Sequence, residues 1–264
     1  MMQQQNVFIT GASSGLGAAL AKQYAQQGAR VALLGRKLEA LQDVQRQLEN
    51  SALHKIYQVD VNDTQALTRA AHDFMREVGQ VHVVIASAGI SVGTLTEMPE
   101  DLAVLSCVMQ TNVLAMVATF TPFIEHMKAQ AHQARHGCRL VGIASVAGIR
   151  GLPGASAYSA SKAAVISYCE SLRVELRGSG IEVVTIAPGY IDTPMTQVNQ
   201  YAMPFLTSAE KFAKAAYLAI AKGVSYRVIP WQMGVVAKLL RLLPNFVYDR
   251  LFAHAPRKSR QVSE

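Results

Sequence analysis

TGASSGLG, Thr10 to Gly17, follows the apolar run Val7-Phe8-Ile9 and opens a stretch with helical periodicity. A strand, a glycine turn and a helix in that order put the turn at the carboxyl edge of a parallel sheet. The first turn of a helix offers unpaired N–H groups and the positive end of its dipole, so an anion can rest there. Glycines let the backbone approach such an anion closely, and Ser13 and Ser14 can donate further hydrogen bonds. The spacing is G-x-x-x-G-x-G, not the G-x-G-x-x-G of the standard dinucleotide fingerprint. Gly11-Ala-Ser13-Ser-Gly15 also matches G-x-S-x-G, the nucleophile elbow of serine hydrolases. That reading needs an acid and then a histidine downstream. His126, His132 and His136 fall in polar helical stretches, and only His254 has a suitable chain position.

Outward from this turn the chain alternates short β-branched runs with longer helical stretches. Strands are predicted at Asn6–Thr10, Arg30–Gly35, Lys55–Asp60, Val81–Ser87, Arg139–Ala144, Glu182–Ala187 and Tyr226–Ile229. Several are nearly continuous apolar runs, as parallel strands covered on both faces are. Helices are predicted at Gly15–Gln27 (stopped by Gly28), Leu38–Glu49, Tyr158–Arg177 and, behind a capping box at Thr207-Ser-Ala-Glu210, up to Gly223. The fold class is α/β: a Rossmann-like doubly wound parallel sheet of about seven strands, helices on both faces, and a C-terminal helical extension. Residues 1–230 are read as the dinucleotide-binding and catalytic part, and 231–264 as an extension of the same domain.

Of 264 residues half are hydrophobic and 16% charged, which excludes a disordered chain. The formal charge of +7 would suit a phosphorylated ligand, an anionic lipid or a nucleic acid. No reading helix or aromatic platform accompanies it, so nucleic acid is not expected. Cys107, Cys138 and Cys169 are odd in number and widely spaced, so neither a metal site nor a disulfide framework is expected, and a reducing cytoplasm is. The N-terminus carries no signal-peptide pattern, and the apolar stretches are read as shorter than the ~18 residues of a spanning helix.

An NAD-selecting site places a carboxylate about 20 residues past the glycines. Here the second strand ends Leu33-Leu-Gly-Arg36-Lys37, with two cations and no acid. A guanidinium binds a 2′-phosphate bidentately, so NADP(H) is expected over NAD(H). Further on, SAYSASKAA puts Tyr158 and Lys162 four apart on one helix face. Ser145, thirteen residues earlier, ends the run RLVGIAS at the same sheet edge.

Together these pieces resemble the short-chain dehydrogenase/reductase family. The resemblance rests on Thr10–Gly17, Asp60-Val61, Asn112, Ser145, Tyr158-Ser-Ala-Ser-Lys162 and Pro188-Gly189 through Thr193, and spans about residues 5 to 230. It implies hydride transfer between a nicotinamide cofactor and a carbonyl/alcohol pair. By that resemblance Tyr158 is the general acid or base, Ser145 places the carbonyl oxygen, and Lys162 contacts the nicotinamide ribose. Asn112 leads a water-linked proton path to Lys162. Lys162 and the oxidised nicotinamide, both cationic, would lower the Tyr158 pKa from about 10. Gly11, Ser13, Ser14, Gly15 and Leu16 would line the phosphates, Arg36 would meet the 2′-phosphate, and Asp60 and Val61 would flank the adenine. Pro188, Gly189, Ile191 and Thr193 would hold the nicotinamide end. Ala86-Ser87-Ala88-Gly89 stands where the family reads Asn-Asn-Ala-Gly or Asn-Ala-Gly. Ala88 and Gly89 still permit close approach, but lost amide groups would weaken the bracing around the cofactor. A homodimer or homotetramer through Leu102–Met127 and Tyr158–Arg177 is also implied.

Gly93–Pro99 and Met195–Phe205 are expected to border the substrate, and their methionines and aromatics point to an apolar or lipid-like carbonyl compound. Beyond residue 230, Met233–Leu243 reads as a helix with Val236, Leu239, Leu240 and Leu243 in a stripe and Lys238 and Arg241 on another face. Pro244 ends it, and the chain finishes basic at Arg257, Lys258 and Arg260. The extension fits a cover over the cleft or a subunit interface, a peripheral contact with an anionic membrane, or ordinary core packing with a solvated terminus. The competing function class is a non-enzymatic NADP-binding or regulatory protein on the same fold.

Overall fold

Apolar runs become strands where helices cover both their faces. These are β1 (Asn6–Thr10), β2 (Arg30–Gly35), β3 (Lys55–Gln58), β4 (Val83–Ala86), β5 (Cys138–Ile143), β6 (Ile181–Pro188) and, after a two-stranded pair β7 (Ile191–Asp192) and β8 (Thr207–Ser208), β9 (Tyr226–Ile229). The computed structural model describes residues 4–131, 137–199, 201–255 and 260. His132, His136, Arg257 and Lys258 lie outside them. The main sheet has seven parallel strands in the order β3-β2-β1-β4-β5-β6-β9. This is the doubly wound arrangement the sequence predicts. Strand order reverses between β1 and β4, where such sheets open a crevice at their carboxyl ends.

The helices are α1 (Gly15–Gln26), α2 (Leu38–Arg46), α3 (Thr64–Val78), α4 (Asp101–Met109), α5 (Ala115–Phe120), α6 (Ile124–Ala131), α7 (Ser156–Glu175), α8 (Pro194–Gln197), α9 (Ala209–Ala221), α10 (Trp231–Leu242) and α11 (Asn245–Phe252). Alternation along β1 feeds two cores. Val7 and Ile9 pack with Leu20 and Tyr24 of α1 and Phe212 of α9. Phe8 points the other way, its ring 4.8 Å from that of Phe123 and 5.8 Å from that of Phe74. Each such buried side chain stabilises the fold by about 1.5–3 kcal/mol.

Several boundaries differ from the sequence reading. α7 starts at Ser156, two residues early, because Thr94 Oγ1 accepts the Ala157 N–H. α9 is capped by Ser208, whose hydroxyl accepts the Lys211 N–H, while Thr207 pairs with Ile191 in β8–β7. A single N-cap bond from Ser208 thus replaces the capping box expected at Thr207. The segment Asp101–Ala131 reaches the length and apolarity of a membrane-crossing helix, contrary to the expectation that no stretch does. Here it is interrupted by a π-helical turn at Gln110–Leu114 and a 3-10 turn at Thr121–Phe123. Val108, Met116, Phe120, Phe123 and Met127 along it are buried.

In the extension, α10 packs through Met233, Gly234 and Ala237, and its apolar stripe is not the expected one. Val236, Leu240 and Leu243 are only half-buried and Leu239 is exposed. Arg150 fastens the end of this helix: Nη1 donates to the carbonyls of Leu240, Arg241 and Leu243, and Nη2 to Asn245 Oδ1. The guanidinium also lies 4.0 Å from the centre of the Tyr248 ring. Arg260, read from sequence as part of the basic end of the chain, pairs with Asp101 and Glu100.

Candidate active site

Gly11 leaves β1 at φ +68°, and a Cβ there would lie 2.8 Å from the backbone of Ala88. The glycine turn and the loop after β4 therefore meet backbone to backbone. Thr10, fully buried, reinforces the contact: its Oγ1 accepts the N–H groups of Ser87 (3.2 Å) and Ala88 (3.3 Å). Ser14 stands at the α1 N-cap in extended conformation, and its side chain makes no capping bond. First-turn N–H groups of α1 are thus left for an outside acceptor. At the end of β2, Arg36 is 70% exposed at its side chain and 4.0 Å from Asp60.

On the other side of the crevice, Ser145 follows β5. Its hydroxyl accepts the Ala147 N–H and donates to the Pro188 carbonyl. The turn Val146–Gly148 then lies directly on α7, since a Cβ on Gly148 would come within 2.6 Å of the Lys162 carbonyl carbon. That contact brings Ser145 to the helix face bearing Tyr158 and Lys162. Lys162 Nζ is buried, donates to the Ile143 carbonyl at 2.8 Å and lies 5.8 Å from the centre of the Tyr158 ring. Burial lowers the Lys162 pKa from 10.5 to about 8. Burial also raises the Tyr158 pKa, with the Ser145 hydroxyl pulling the other way. The protein surroundings by themselves desolvate the phenol more than they stabilise its anion, and the expected lowering draws on the cationic cofactor as well as on Lys162.

Asn112 sits in the π-helical turn. Its Oδ1 accepts the Ile90 N–H (2.8 Å), and Nδ2 donates to the Ile90 carbonyl and to Ser161 Oγ, both at 2.9 Å. It ties the loop after β4 to α7, a bracing job that complements Thr10 where Ala86 and Ser87 offer no amide side chain. Thr10 and Ser161 lie within the motifs Thr10–Gly17 and Tyr158–Lys162, but the sequence reading gives neither a bracing role; the place of Thr10 just before the glycine turn is the available signal.

A crevice of about 340 Å³ joins these parts. It is lined by Gly11, Ser13, Ser14, Gly15, Leu16, Arg36, Asp60, Val61, Ala88 and Gly89, and across from them by Ser145, Tyr158, Lys162, Pro188, Gly189, Ile191 and Thr193. Asn112 is the one expected site residue outside the lining. Met195 and Thr196, from the segment expected to border the substrate, also line it, as do Cys107 and Thr111, for which the sequence carries no such expectation. His254 lies exposed beyond α11, and among the described residues that line the crevice there is no histidine to serve Ser13 as the base a hydrolase requires. Among the described residues no group of three His, Cys, Asp or Glu side chains is placed to hold a metal.

A family model described as short chain dehydrogenase matches residues 5–203. The chain belongs to the short-chain dehydrogenase family. It is 34% identical over 249 residues to an uncharacterized oxidoreductase of Myxococcus xanthus, covering 94% of this chain and 96% of that one. It is 33% identical over 276 residues to dehydrogenase/reductase SDR family member 7B of Bos taurus, covering 97% and 82%. Among solved structures it resembles ElxO with NADP bound (TM-score 0.76, 23% identity, 86% of this chain and 97% of that one). It also resembles 3-ketoacyl-(acyl-carrier-protein) reductase from Brucella melitensis complexed with NADH (TM-score 0.78, 23% identity, 87% and 98%). These structural likenesses speak for the fold. The short-chain dehydrogenase is thus an oxidoreductase with its expected side chains gathered at one crevice.

Proposed function

We propose that this short-chain dehydrogenase is an NADP(H)-dependent carbonyl reductase acting on an apolar or lipid-like ketone. The observation that carries the reading is the meeting of Ser145, Tyr158 and Lys162 on the wall of a crevice that begins at the glycine turn. The residues present fit a dinucleotide. Uncapped first-turn N–H groups of α1 with Ser13 and Ser14 would hold the pyrophosphate, and Asp60 and Val61 would flank the adenine. Gly189, Ile191 and Thr193 would hold the nicotinamide end. Arg36, exposed at the end of β2 with Asp60 4.0 Å away, supports a 2′-phosphate and hence NADP(H) over NAD(H).

When bound, the nicotinamide supplies the hydride for reduction or accepts it in oxidation. Ser145 donates a hydrogen bond to the substrate carbonyl oxygen and fixes its position. Tyr158, kept protonated by burial, gives its proton to that oxygen as negative charge develops there. Lys162 orients the cofactor ribose and stabilises the phenolate left behind. Asn112, with both amide protons committed, holds the loop after β4 beside Lys162 and acts as a positioning residue.

The substrate class rests on Met195 and Thr196 in the lining and on exposed Val198, Phe205 and Leu206 in the same segment. Exposed Leu102 and Leu114 around α4 and Val174 on α7 support a homodimer or homotetramer. Free Cys107, Cys138 and Cys169 suit a reducing cytoplasm. Residues 231–264 are read as part of the same domain as 1–230. NADPH oxidation measured over ketones of increasing chain length tests the proposal. Rates that rise with chain length and vanish in Tyr158→Phe are expected. NADPH binding without turnover of any ketone would favour the regulatory reading.

A further inference from the structure

The buried side of α10 leaves an apolar side facing solvent. Trp231 (68% exposed), Val235, Leu239 (60%) and Leu242 (79%) recur at i, i+4, i+8 and i+11, one continuous stripe along the helix. After Pro244 the stripe is extended by Phe246 (76%) and Leu251 on α11. Single exposed leucines need no explanation, but six large apolar side chains in 21 residues make a patch of the kind that marks a contact surface. The helix cannot roll to hide it. Met233, Gly234 and Ala237 are buried on the opposite side, and Arg150 holds the last carbonyls of α10.

Charge decides what covers the patch. Lys238 and Arg241 are exposed beside the α10 stripe and Arg250 lies on α11, while Asp249 is the one acid between residues 231 and 255. An apolar stripe bordered by cations, with tryptophan at one end, matches the boundary between acyl chains and anionic headgroups. A second copy of the chain fits worse, because its matching face offers one acid, Asp249, against Lys238, Arg241 and Arg250. We propose that the solvent face of α10, continued by α11, docks the protein in plane on an anionic phospholipid surface. This rests on the surface alone and is independent of the reaction assigned to the crevice.

The test is sedimentation of the full chain with phosphatidylcholine vesicles and with phosphatidylcholine–phosphatidylglycerol vesicles, at low and high salt. Binding to the anionic vesicles that weakens with salt is expected. Lys238→Gln with Arg241→Gln should weaken it about 25-fold, taking about fivefold per basic residue at the surface. Leu239→Ser with Leu242→Ser should weaken it about tenfold or more. The helical circular dichroism of both variants should match the parent, and Tyr158→Phe should dock like the parent. Absence of binding to anionic vesicles, equal binding to neutral ones, or binding unaltered in both double variants would overturn the proposal. So would a parent dimer that Leu239→Ser with Leu242→Ser splits, since the stripe would then be a subunit interface.

Discussion

Replacing Lys162 by methionine should abolish reduction and yet relieve the fold of a buried charge, and the size of the effect follows from its surroundings. A lysine whose proton leaves near pH 8 rather than 10.5 destabilises the charged folded form by ~3 kcal/mol. Methionine nearly matches the side chain in length and carries no charge. Against the gain stands the bond from Nζ to the Ile143 carbonyl, whose loss leaves a buried acceptor unpaired at a cost of ~1–3 kcal/mol. The net advantage at neutral pH is ~1 kcal/mol, or a Tm higher by about 2–4 °C for a chain of this size. The pH dependence is the sharper check. The folded pKa is depressed, so below pH 8 both folded and unfolded chains carry the proton and the penalty is present in full. Between pH 8 and 10.5 the unfolded chain keeps a proton that the folded chain has lost, and the parent gains stability as pH rises. The stability difference between Lys162→Met and the parent should therefore drift by ~3 kcal/mol in the parent's favour across that window. Urea unfolding at a series of pH values measures it. A difference that stays flat, or drifts the other way, would refute the idea that burial and not pairing governs Lys162.

Three other outcomes are expected. Tyr158→Phe should bind NADPH like the parent in a fluorescence titration while its reductase rate falls by about 10²–10⁴. Arg36→Ser should raise the KM for NADPH by about 10–100-fold and leave that for NADH nearly unchanged, since only the charge-assisted bonds to the 2′-phosphate are lost. Thr10→Val removes the acceptor of the half-buried Ser87 and Ala88 N–H groups and should cost ~1 kcal/mol in denaturant unfolding.

What could be read from the sequence depended on the kind of interaction that sets each feature. β1 and β2 fall where their apolar runs do, because a strand covered on both faces has almost no freedom in composition. β4 is shorter than VHVVIAS suggests, since pairing with β1 and β5 sets its ends. The site positions along the crevice were legible because glycine, serine, tyrosine and lysine recur there at fixed spacings. The bracing was not. Thr10, Ser161 and the Ile143 carbonyl act across long sequence separations that no local pattern carries. On α10 the periodicity announced a stripe but not which one packs inside. Apolar residues run nearly all round that helix, and the small Gly234 and Ala237 decide which side can lie close to the sheet.

The wide turn at Gln110–Leu114 fixes how the chain can vary in length. It holds an extra residue relative to a regular helix, and that surplus keeps Asn112 on Ile90 while Met116 and Phe120 stay against the sheet. Removing that surplus residue would restore a regular helix and leave Met116 and Phe120 against the sheet, because the turn absorbs it without shifting the segments on either side. Asn112 would lose its place on Ile90, so a one-residue deletion here should spare the core and loosen the loop after β4.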